Sequence, residues 1–130
     1  MTELQFADDI LARIREKGGA FDERGYLFVL ASIEFIQSRL TVRRHVSGQE
    51  LAWACRDLAR NRFGLLARPV LAYWGLTRTE DFGRIVYTLV DIGLLVTLPG
   101  DSEEDFRDVF DFQSAFDDSY EWEGVGRVRA

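Results

Sequence analysis

A chain of 130 residues, 47% hydrophobic and 29% charged, has the balance of a folded globular domain and enough length to bury a core without disulfides or metal. Its net charge of -6 argues against a general nucleic-acid coat, and its one cysteine, Cys55, excludes an internal disulfide or an all-cysteine metal site. No apolar run approaches the roughly 18 residues of a membrane span, and the acid-bearing opening MTELQFADDILARIREKGG does not resemble a secretion signal, so a cytoplasmic chain without membrane contact is expected.

Leu4, Ile10, Leu11 and Ile14 are spaced for a short amphipathic helix ended at Gly18-Gly19. DERGYLFVLASIEFIQSRL follows, with Asp22 as its cap and Tyr26, Phe28, Val29, Leu30, Ile33 and Ile36 on a broad apolar stripe, as expected of a central helix. Thr41 to Val46 is a link. SGQE then forms a capping box, Ser47 accepting from the backbone of Glu50 while its carboxylate reaches back. Leu51, Ala54, Cys55 and Leu58 form the apolar face behind it, which makes Cys55 a small core residue, and the helix should end near Asn61–Gly64.

Leu66, Val70, Tyr73 and Trp74 keep helical spacing toward Gly75, with Pro69 either near the helix start or bending it. TRTE reads as a second capping box, Thr77 with Glu80, ahead of a helix whose face is Phe82, Ile85, Val86 and Leu89 and whose end is Gly93. Leu94 to Leu98 reads as a strand and PGDS as a turn. The acidic segment beyond it should protrude as a loop, and the alternating Phe106, Asp108, Phe110 and Phe112 predict a returning strand. Phe116 would anchor one last turn, and the tail 123–130 is expected to be flexible beyond a single domain spanning 1–122. The resulting expectation is an α+β fold, mainly helical, with a C-terminal winged-helix-like helix-turn-helix and a two-stranded hairpin.

Charge is segregated along the chain. Between Arg39 and Arg68 seven arginines face only Glu50 and Asp57, whereas between Asp101 and Glu121 nine acids face only Arg107. The two blocks either neutralise each other or present faces of opposite sign to partners. VRRHVSGQE concentrates the chemistry: Arg43 and Arg44 have the planar forks that bind carboxylate or phosphate, and His45 is the only histidine. No HExxH, paired-cysteine, calcium-loop, GxGxxG, phosphate-loop or GxSxG pattern accompanies them, so no catalytic residue, metal or cofactor is assigned. Arg43, Arg44, His45, Glu50, Asp105 and Asp111 are therefore the candidate recognition surface. An enzyme would need His45 brought beside Glu50, Asp57 or the later acids.

Together RRHVSGQELAWACRDLARNRFG, VLAYWGLTRTEDFGRIVYTLVDIGLL and DSEEDFRDVFDFQSAF resemble a family of small uncharacterised bacterial conserved proteins found as single short domains. The resemblance runs from about Tyr26 to Phe116 and rests on the ordered HVSGQEL, FG, WG, TEDFG, GLL and YDF-like elements, with Phe110 standing where the family usually has tyrosine and Pro69 atypical. It implies one bacterial cytoplasmic domain and assigns no reaction or ligand. The expected function is a non-catalytic protein-interaction or regulatory adaptor with a protein partner, and homodimerisation stays open. The alternatives are a nucleic-acid-binding regulator using the Arg39–Arg68 region, disfavoured through an acidic recognition helix and wing, and an enzyme built around His45.

Overall fold

Five α-helices make up most of the chain in the computed structural model, which describes residues 3–17 and 19–118: α1 Glu3–Lys17, α2 Glu23–Arg39, α3 Gly48–Phe63, α4 Ala67–Tyr73 and α5 Thr79–Asp91. Each boundary has a local cause. Asp22 caps α2 by accepting from the Arg24 amide at 2.8 Å. At α3 both halves of the capping box form, Glu50 N–H to Ser47 Oγ at 3.1 Å and Ser47 N–H to the Glu50 carboxylate at 2.9 Å. Pro69 falls in the first turn of α4, where its missing N–H would have had no helical acceptor, so it starts the helix rather than bending it. Helix α5 ends in a Schellman arrangement: Gly93, at φ 84°, donates to Val90 O, and Leu94 donates to Leu89 O.

Helix α2 lies at the centre of the core. Tyr26, Phe28 and Val29 are fully buried on it, against Leu51, Cys55 and Leu58 of α3 and Phe82, Ile85 and Leu89 of α5. Two aromatic groups flank this contact. Phe28, Phe63 and Trp74 meet at one end, and Phe82, Phe112, Phe116 and Phe110 meet at the other, with Trp53 against Phe110 at 4.6 Å. Cys55 is wholly buried, and burial pushes its thiol up to about 12, which fits a packing residue rather than a nucleophile.

The expected hairpin is absent. Among the described residues there is no strand, so the α+β winged-helix-like assignment is corrected to an all-helical arrangement with irregular C-terminal connections. PGDS does turn the chain, with Gly100 at φ 98° and Asp101 N–H bonded to Leu98 O. The acidic segment that follows is a capped 3₁₀ turn, Glu103–Phe106, and not a protruding loop: Ser102 Oγ accepts from Glu104 N and the Asp105 carboxylate accepts from Ser102 N. Its last residue, Phe106, is buried. The backbone bonds a returning strand would need go instead to the Thr79 hydroxyl, which donates to Phe106 O at 2.6 Å and accepts from Val109 N at 3.1 Å. A π-helical turn, Gln113–Asp118, buries Ala115 and Phe116. The expected tail 123–130 lies outside the described residues.

The second capping box also differs from its reading. Helix α5 starts at Thr79, and the group reaching back is Asp81, which accepts from Thr77 N at 2.9 Å and Arg78 N at 3.3 Å. Glu80 instead accepts from Asp108 N at 3.4 Å, tying the C-terminal segment to the helix start.

Candidate functional site

Three distant stretches of sequence converge on Phe106. A Cβ built on Gly48, the first residue of α3, would lie 2.8 Å from Asp105 Cβ and 2.9 Å from the Phe106 ring, and one on Gly83 of α5 would lie 2.9 Å from Phe106. Only glycine lets both helices approach this side chain so closely. SGQE, TEDFG and the 103–112 segment are thus held together by packing, which gives these motif residues a structural role.

Beside Phe106 opens a cleft of about 160 Å³ between α2, α3, α5 and the 95–106 connection. Its apolar wall includes Ile33, Leu51, Val86, Leu95 and Phe106, and its polar rim includes Gln37, His45, Tyr87, Asp101 and Asp105. The rim is built from local bonds. Gln37 on α2 clips the incoming loop with both ends of its amide, accepting from Arg44 N at 3.2 Å and donating to Arg44 O. His45 then meets Asp101 across the mouth, with Nε2 3.1 Å from a carboxylate oxygen. The Leu98 backbone N–H, and beyond it His45, hold the Asp101 carboxyl below its ordinary value. Burial, followed by the negative charges of Asp101, Asp105 and Glu103, raises the Tyr87 phenol.

The six residues expected to form a recognition surface are not assembled as one. His45 and Asp105 line the cleft. Arg44 is committed to Glu50 through two bonds of 2.8 and 3.1 Å and also donates to His45 O, while Arg43 meets Glu34 at 3.3 Å. The Arg44 guanidinium and the Ser47 amide hold the Glu50 carboxyl down to about 2. Asp111 lines a separate depression with Arg68, Thr77 and Arg78, and caps the last turn through Ser114 N. Among the described pairs the opposite charge blocks therefore do not close on each other wholesale. Arg39 and Arg56 share Asp57, and only His45–Asp101 and Arg68–Asp117 link the basic stretch to the acidic one among the described pairs.

Sequence reasoning missed Gln37, Thr79 and Tyr87 and did not single out Asp101. Asp101 was visible as a turn residue and as one acid of the C-terminal block, and no sequence signal selects it from those acids to stand opposite a histidine 56 positions earlier. Of the acids an enzyme would need beside His45, the one placed there is Asp101 of the later block, and not Glu50 or Asp57. Among the described residues no group of three or more histidine, cysteine or acidic side chains is placed to hold a metal ion, and no helix is long and apolar enough to cross a membrane. Comparison with protein-family models, curated proteins and solved structures finds no match to this chain.

Proposed function

We propose that the chain is a non-catalytic protein-interaction module, a regulatory adaptor whose contact face is the cleft between α2, α3 and α5 rather than the Arg43–Arg44 pair. The observation that carries this reading is the combination of an apolar wall with a polar rim already organised by Gln37, His45 and Asp101. A volume of about 160 Å³ suits one inserted side chain, and is small beside the roughly 300–1,000 Å³ of pockets that enclose whole small molecules. An anchor residue in such a pocket, surrounded by a polar rim, is how protein partners concentrate their binding energy. Arg43 and Arg44 act within the fold, since breaking their local pairs to meet a partner would cost the bonds they already make.

The test is a pull-down from the source organism with wild type, Thr97→Trp and an Arg43→Ala/Arg44→Ala double variant, across a salt series. Thr97 is exposed on the cleft wall, so the indole blocks the mouth without entering the core. Partner recovery should survive the arginine variant and fail for Thr97→Trp. Identical recovery by all three proteins, or loss only with the arginines, contradicts the proposal. The nucleic-acid alternative loses its acidic-wing objection together with the wing, but meets another: Arg43, Arg44, Arg56 and Arg68 each already bind a carboxylate of this chain that phosphate would have to displace.

A further inference from the structure

We infer, resting on the protein-binding role proposed above, that the cleft receives an extended segment of a partner protein carrying an apolar residue with a cation two positions away.

The first support is the backbone at the cleft mouth. Leu95 to Leu98 has the composition of a strand yet belongs to no helix or ladder. The amides and carbonyls of Val96 and Thr97 make no hydrogen bond with any described residue, and Val96 is 87% exposed. An extended partner segment running alongside supplies the missing main-chain bonds, as in recognition by strand addition. Ile33, Leu51, Val86 and Phe106 behind this stretch provide the apolar seat for one side chain.

The second support is charge. Asp101 and Asp105 line the cleft rim, and after burial their negative charges, with that of Glu103 nearby, raise the Tyr87 phenol, so the rim carries a negative field at the seat. The neighbouring cation, Arg44, is turned onto Glu50, and His45 is the one side chain described against Asp101. A cation on the incoming segment meets this field favourably, and an acid is repelled. Side chains of an extended chain share a face every second residue, which places that cation two positions from the apolar residue and not next to it.

The test titrates ¹⁵N-labelled full-length protein with synthetic peptides. The probe is acetyl-Arg-Thr-Leu-Thr-Arg-amide, whose two arginines make it indifferent to chain direction. Three controls accompany it: Thr-Arg-Leu-Arg-Thr of the same composition in the other register, Arg-Thr-Gly-Thr-Arg without the anchor, and Glu-Thr-Leu-Thr-Glu with the charge reversed, all capped alike. The probe should shift the Val96, Thr97 and Tyr87 resonances. Each control should bind at least about tenfold more weakly, and an Asp101→Asn/Glu103→Gln variant should weaken the probe while keeping hydrogen-bonding groups in place. Equal binding of any control, no weakening in that variant, or no shift with the probe overturns the inference. If the probe fails while Thr97→Trp still loses a cellular partner, only the segment chemistry falls. If Thr97→Trp loses no partner either, the protein-binding role falls with it.

Discussion

Two glycines and one phenylalanine account for most of the geometry at the cleft. Gly48 and Gly83 leave the space into which Phe106 wedges, and an added methyl at either would sit below 3.0 Å from it. Gly48→Ala and Gly83→Ala should each destabilise the fold by about 1–3 kcal/mol, the usual cost of overpacking a tight contact. Gly25 is the control, because its nearest neighbours lie 3.5–3.7 Å from the built Cβ. Gly25→Ala should be neutral or stabilising by up to about 1 kcal/mol, through helix propensity. Urea denaturation of the three variants checks this order, and an equal loss in all three would mean that close approach to Phe106 is not what requires glycine. Glu50 supplies a pH signature. Its carboxyl is held at about 2 against an ordinary 4.5, so its contribution is complete above pH 4.5 and is lost as the pH falls through about 2. Glu50→Gln keeps an acceptor for the Ser47 amide but removes the charge opposite Arg44. The variant should melt below wild type at neutral pH, with the gap closing across that acid window. A gap independent of pH would assign the effect to packing instead.

The five helices were legible because each has its own punctuation and an apolar face with helical spacing. Asp22, the Ser47–Glu50 box and Gly93 act within a few residues of themselves, so sequence alone locates them. The hairpin failed for the opposite reason. Alternating Phe106, Asp108, Phe110 and Phe112 have strand periodicity, but the backbone of this segment is bonded at Phe106 and Val109 to Thr79, 27 and 30 positions away. One hydroxyl can replace a ladder contact by donating to one strand-like residue and accepting from another, and no local pattern announces it. Thr79→Val therefore should cost about 1–3 kcal/mol for each backbone group left unpaired, whereas Thr79→Ser should keep most of the stability. Calorimetry on both separates the hydroxyl from the methyl, and equal losses would mean that packing, not hydrogen bonding, anchors the C-terminal segment.

At the scale of the whole molecule, the segregation of charge along the chain suggested two faces, and the folded protein draws several arginines of the basic block into short-range pairs. Arg43, Arg44 and Arg56 meet acids of α2 and α3 nearby, and the carboxylates of Asp105 and Asp111 satisfy turn amides. The candidate cleft was therefore legible in sequence only at two of the six residues named. His45 and Asp105 were named from sequence and do line the cleft, but their apolar neighbours come from α2, α5 and the 95–98 connection, which only packing brings together. Among the described residues the cleft is open toward solvent at Val96 and Thr97, and a protein partner is proposed to cover it. Site-specific photo-crosslinking in the source organism tests this most directly, with benzoylphenylalanine at Thr97 and, for comparison, at the exposed Leu65 in the turn after α3. A partner seated at the mouth should give a discrete protein adduct from position 97 and none shared with position 65. Adducts that are the same from both positions, or absent from position 97, would contradict it.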